Sequence, residues 1–263
     1  MDSRSSGETV PLSSARLMVS SSSSTARLSW PASARQIARW VAARYCPAAS
    51  ARSNALVTCS TCPAKEACQA TSTTTESLGA AHERTLSARF EVAVWTWRLD
   101  GPAAAARIFC ELLEYAESLE SVPWSFIIDC GWNLGGALTD AGNANAALPI
   151  LEATIEESQR AYGPEHRHTL NVRLTHVQAV GSAGEPKKAA KLAARLVEDS
   201  GRVLGEAYLT TLQARYAVAG WTAESGNEET ARQLFETLHA ETARLFGDDH
   251  WLVVEVGTRL KQA

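Results

Sequence analysis

The residues best suited to chemistry are four cysteines, Cys46, Cys59, Cys62 and Cys68, spaced C-x12-C-x2-C-x5-C with Pro63 directly after the third. Two thiolates separated by two residues can chelate one face of a metal. Two more complete either a tetrahedral zinc site or the four corners of an iron-sulfur cubane. Zinc accepts the same thiolates, so spacing leaves both open, beside a third reading as free or disulfide-linked cysteines in a linker. A disulfide framework is disfavoured, because the N-terminal stretch lacks the continuous apolar core of a secretory signal. Cys110 and Cys130 fall in helical stretches, where buried cysteine acts as a small hydrophobe.

The phrase CSTCPAKEAC, residues 59 to 68, resembles the cysteine segments of four-iron sites in WhiB-like transcription regulators and endonuclease III-type glycosylases. The resemblance implies that Cys46, Cys59, Cys62 and Cys68 each ligate one iron of a [4Fe-4S] cluster, with zinc as the alternative. It covers the ligand spacing alone. No GVWGG-like turn follows Cys68, and no glycosylase helix-hairpin-helix motif surrounds it.

The elements that must position any site are set by a spacing of 42 residues. SLGAAHERTL around Gly79, AYGPEHRHTL around Gly163, VLGEAYLTTL around Gly205 and LFGDDHWLVV around Gly247 share one register, and a divergent copy around Ser121 fills the gap. A second set of marks falls at Asp100, Gly142, Gly184 and Gly226, where glycine suits a helix-stopping turn. Five residues later comes an alanine, at Ala105, Ala147, Ala189 and Ala231, and four further on Phe109, Leu151, Ala193 and Phe235. Small then large at i and i+4 lets two helices approach while a knob fills the groove beside them. Each unit therefore reads as a helix hairpin, buried against its neighbours.

The stretch WNLGGALTDAGNANAALPILEATIEESQRAYGPEHRHTL, residues 132 to 170, resembles the long tetratricopeptide repeat of kinesin light chains and many bacterial regulatory proteins. The resemblance extends over roughly residues 79 to 257, and Asn133 matches one of the family's paired asparagines while Trp132 replaces the other. It implies an all-α, right-handed α-solenoid whose first helices line a concave groove for a peptide or helix of a partner protein. On that register the partner-binding candidates are Phe90, Trp97, Asp129, Trp132, Asn133, Asn171 and Tyr216. Amides suit an extended backbone, and aromatic faces receive its side chains.

His82, His166 and His250 stand two repeat lengths apart and cannot converge on one site, so they read as corner residues where a helix opens. No phosphate-cradling glycine loop, nucleophile elbow or pair of histidines one turn apart occurs. The expectation is a non-enzymatic scaffold, with no cofactor for the repeats. An iron-sulfur or zinc protein that senses redox state, or serves a modifying enzyme with the repeats as docking arm, is the alternative.

Composition and charge divide the 263 residues into three. Residues 1–32 are a Ser-rich tail, expected to be disordered. Residues 33–78 hold a candidate helix, with Ile37, Trp40, Val41 and Tyr45 as its apolar stripe, and the cysteines. Residues 79–263 carry four repeats and a capping helix from His250 to about Gln262. Residues 1–80 have eight Lys+Arg against four Asp+Glu, and the rest seventeen against twenty-five. That balance disfavours nucleic acid as a partner, and no apolar run is long enough for a membrane span. The expected location is cytoplasmic, and homo-oligomers through the solenoid ends are compatible with the repeats.

Purification with and without air, followed by metal and sulfide analysis, separates the cysteine readings. Iron with inorganic sulfide is expected for a cluster and zinc for a structural site, whereas metal-free protein from both preparations removes both.

Overall fold

The computed structural model describes residues 63–119 and 121–261. The Ser-rich tail, the candidate helix at 33–46, and Cys46, Cys59 and Cys62 lie outside the described residues. Those described form ten helices and no strand, so the all-α expectation holds. In order they are α1 (Pro63–Leu78), α2 (Glu83–Asp100), α3 (Pro102–Ser118), α4 (Trp124–Asp140), α5 (Ala144–Tyr162), α6 (Arg167–Ser182), α7 (Pro186–Leu204), α8 (Leu209–Glu224), α9 (Glu228–Phe246) and α10 (Trp251–Leu260). The chain divides into two compact units, one ending at Gly184 and the other resuming at Glu185.

In the first unit each helix packs on the next from α1 to α6, and α4 also touches α6. The predicted small-then-large column is its core. Ala105, Phe109, Ala147 and Leu151 are fully buried, and the Phe109 ring meets Phe90 edge-on at 5.4 Å. Helix α4 approaches α5 through Gly135, where a Cβ would sit 2.4 Å from Leu151 Cγ. Cys110 and Cys130 are buried as expected, and burial pushes the Cys130 thiol well above its ordinary range. Helix α1 was not part of the sequence repeat, yet it precedes Gly79 as α5 precedes Gly163 and packs on α2.

The second unit stacks α7 on α8, α8 on α9 and α9 on α10. Leu212, Tyr216, Phe235, Leu238, Leu252 and Val256 form one cluster, so α10 caps the preceding hairpin with Leu252 and Val256, and Trp251 packs at its edge.

The corners explain the 42-residue register. Gly163 holds φ at +95°, a conformation that strains any residue with a Cβ, and Gly79, Gly205 and Gly247 do likewise. The Gly163 carbonyl accepts the His166 N–H and the Thr169 hydroxyl, the latter at 2.8 Å. Thr85 and Thr211 bond the carbonyls of Gly79 and Gly205 in the same way, and all three threonines are buried. The spaced histidines then cap the helices. Nδ1 of His82, His166 and His250 accepts the backbone N–H two residues on, from Arg84, His168 and Leu252.

An imidazole can accept at Nδ1 only when neutral. Burial lowers the proton affinity of His166, helped by the neighbouring His168 and Arg167, and burial does the same for His250. Because these folded values fall below the unfolded one near 6.5, the unfolded chain binds more protons as pH drops. The caps' contribution is complete above that value and is lost as pH falls through the folded values. The melting temperature should therefore fall between about pH 7.5 and about pH 5. Asparagine caps without titrating, so His166→Asn with His250→Asn should flatten that slope; an unchanged slope in the double variant rules out the caps as its source.

Candidate functional site

The first helices of the first unit are α2, α4 and α6, and their shared face is shaped by one small residue. A Cβ on Gly136 would lie 3.0 Å from Trp97 Cη2 and 3.7 Å from Thr175 Cγ2, so glycine allows the Trp97 ring over α4. Trp97 remains half-buried, its inner edge facing the Phe109 ring with centroids 6.3 Å apart. Beside this row the Trp132 indole N–H donates to Thr175 Oγ1 at 2.7 Å, tying α4 to α6.

One turn back on α4, Asp129 Oδ1 stands 2.8 Å from His168 Nε2, an ion-pair distance reached off the hydrogen-bonding axis. The His168 ring sits edge-on to Trp132 at 5.3 Å and tilted against Tyr162 at 5.2 Å. Tyr162 stacks on His166 at 4.6 Å and meets Trp124 at 4.3 Å. A continuous aromatic and imidazole cluster therefore joins α4 to the α5–α6 corner. It contains no nucleophile positioned by a base, and its chemistry is that of packing and orientation.

Of the seven nominated partner-binding residues, four are core residues. Phe90 is 4% exposed between Phe109 and Phe126, so it packs the hairpin and lines no groove. Trp132 is 7% exposed and spends its N–H on Thr175. Asn133 donates its amide to the Asp129 carbonyl one turn earlier at 2.7 Å and is equally buried, so it offers no backbone clamp. Tyr216, in the second unit, donates to Glu255 Oε1 at 2.8 Å and accepts from Arg259 Nε at 3.1 Å, which fixes α8 to α10. Burial, then the Glu255 contact, pushes its phenol up to about 12. Phe90, Trp132 and Tyr216 share one register column, and all three are 4–7% exposed.

Trp97, Asp129 and Asn171 remain half-buried. Asp129 and Asn171 belong to a pattern visible in every first helix. Ser87, Asp129 and Asn171 in the first unit, and Gln213 and Glu255 in the second, occupy one register column, are all polar and are all half-buried. The neighbouring column, Leu86, Ile128, Leu170 and Leu212, is at most 2% exposed. Reading α10 only as a capping helix leaves Glu255 out of the candidates, although it stands 42 residues after Gln213.

Of the four cysteines nominated as ligands, Cys68 lies among the described residues and Cys46, Cys59 and Cys62 lie outside them. Cys68 lies on α1, half-buried, and burial raises its thiol above the ordinary value. It is one repeat length before Cys110, a buried core position. No group of three or more His, Cys, Asp and Glu side chains among the described residues is placed to hold a metal.

Residues 133–168 match the family described as tetratricopeptide repeat. Solved structures agree over most of the chain. The fold is that of tetratricopeptide-like repeats. The nearly identical TPR-like repeats of a Podosopora anserina kinesin light chain candidate superpose with a TM-score of 0.58 at 16% identity for a singly substituted form, covering 81% of this chain and 94% of that one. A second structure of those repeats gives 0.56 at 17% identity, covering 81% and 95%. BtubC (BKLC) from P. vanneervenii gives 0.58 at 13% identity, covering 76% and 85%. No curated protein sequence matches the chain. At these identities the likeness establishes the arrangement of helices and leaves the surface to be read from its own residues.

Burial separates the two tryptophans experimentally. Trp132→Ala should destabilise the protein by about 3–5 kcal/mol, the usual cost of emptying a core site of this size, whereas Trp97→Ala should cost clearly less. Equal losses in chemical denaturation would remove the distinction between core and face.

Proposed function

We propose that the chain is a protein-interaction scaffold that holds an extended segment of a partner along the first-helix face of α2, α4 and α6. The observation that carries this reading is the polar column Ser87, Asp129 and Asn171, half-buried beside an otherwise apolar interior. Polar side chains at the same height on successive helices offer donors and acceptors to a peptide backbone crossing them. Trp97 supplies an aromatic surface beside Gly136 for one side chain of that segment. The hydroxyl and carboxamide groups in this column bind without demanding one charge, while Asp129 favours a basic residue near the middle of the segment.

The fold supports the reading as well. Two of the structural neighbours are TPR-like repeats of a kinesin light chain candidate, and the described residues show no catalytic arrangement. No helix among them is long and apolar enough to cross a membrane.

A peptide selected from a random display library against the intact protein provides the probe. Asp129→Ala combined with Asn171→Ala should weaken its binding at least about tenfold, equivalent to about 1.4 kcal/mol, in a protein whose circular dichroism shows the helices intact. Arg107→Ala, on second helix α3, should leave affinity unchanged. Loss on Arg107→Ala with none on the column variant would place binding elsewhere.

A further inference from the structure

One pair of side chains on the first-helix face has no counterpart in the other repeats. Asp129 on α4 and His168 at the start of α6 bring Oδ1 and Nε2 within 2.8 Å of each other. One repeat earlier the same two positions hold Ser87 and Phe126, and later repeats hold Asn171 with Thr210 and Gln213 with Leu252. None of those can form an ion pair, so the packing of hairpins does not require one. Both facing atoms are buried without a hydrogen-bond partner, and His168 as a whole is 9% exposed. Neutral His168 therefore gives Asp129 no hydrogen bond, and buried polar atoms left this way are costly. Protonation changes the balance, because an imidazolium at this distance neutralises the carboxylate across a contact closed to water.

Building on the scaffold reading above, we propose that Asp129 receives a lysine or arginine side chain of the bound segment, and that His168 switches this subsite off when it takes up a proton. Asp129 Oδ1 is turned inward, so the part of the carboxylate offered to a partner is Oδ2, on a side chain 14% exposed. Ser87 and Asn171 on either side carry no charge, which leaves Asp129 as the charged member of its column in the first unit. With His168 neutral, that half-buried charge pairs with the incoming cation. With His168 protonated, two cations compete for one carboxylate. The groups facing His168 are Asp129 from α4, Tyr162 from α5 and, in its own corner, His166 and Arg167. Asp129 is the one carboxylate among them, so it is the group through which protonation of His168 reaches the segment. The coupling is reciprocal: a bound cation lowers the proton affinity of His168 by the factor by which protonation weakens the cation's binding.

Peptides selected on the intact protein at about pH 7.5 are the probe, each compared with a copy in which its basic residue is norleucine. The basic peptide should bind about tenfold tighter than the norleucine copy at that pH, and within about threefold of it at about pH 5.5. Circular dichroism at both pH values checks that the helices persist. In His168→Gln the preference for the basic peptide should hold at both pH values. A second readout uses the wild-type protein: the His168 imidazole resonances, assigned through the backbone, should titrate at lower pH with the basic peptide bound than with the norleucine copy. A wild-type preference equal at both pH values, or a His168 titration indifferent to the basic peptide, overturns the proposal. Selected peptides that lack a basic residue yet lose affinity in the Asp129→Ala, Asn171→Ala double variant also overturn it, while the scaffold reading stands. Affinity untouched by that double variant defeats both.

Discussion

The phase of α2, α6 and α8 depends on the glycine carbonyl at the corner between a second helix and the next first helix. With Gly163 at φ +95°, its carbonyl is presented to the incoming chain, where the His166 N–H and the Thr169 hydroxyl both reach it. These two bonds fix the phase at which α6 starts. Leu170 N–H then bonds the His166 carbonyl, and Leu170 enters the buried column. A helix started one residue out of phase would turn that column toward its flank by about 100°. The Gly79 and Gly205 corners repeat the same pair of bonds, so the phase is reset at those corners instead of drifting along the chain.

That reset is why the fold was legible in the sequence and the site only in part. Glycine, threonine and leucine at fixed offsets announce a corner, because each residue type is required there by a bond or a backbone angle. The face beyond the corner carries no such requirement. Trp132 was read as a groove residue because its column holds Phe90, Leu174 and Tyr216, which aromatic content alone cannot place inside or outside. Its indole settles the matter by reaching Thr175 one repeat later, a pairing with no periodic mark because the equivalent bond from Tyr216 goes to Glu255 instead. The polar column containing Asp129 and Asn171 was legible because solvent tolerates polar variety there while its neighbour admits only leucine and isoleucine.

Buried polarity follows the same economy. Thr96, Thr139, Thr154, Ser200 and Thr242 each bond the carbonyl four residues earlier in their own helix, at 2.7–2.8 Å. Such a hydroxyl is satisfied without a partner on another helix, so it behaves in packing much as an alanine or valine would. Ser158 and Thr169 differ, bonding hydroxyl to hydroxyl at 2.8 Å across the α5–α6 corner. The interior therefore asks little of its neighbours in direction. It specifies volume, and the corners specify orientation.

The same corner geometry sets the phase of α10. The corner at Gly247 starts α10 in the correct phase, its histidine cap is in place, and Leu252 and Val256 are buried against the preceding hairpin. The same phase carries Val254 into a column meant for a second helix, and exposes it. At α1 the reverse holds. It packs on α2, and the column that holds Leu112, Thr154, Leu196 and Leu238 in later second helices holds the small, exposed Ala70 on α1. A small side chain at that position leaves little apolar surface in solvent.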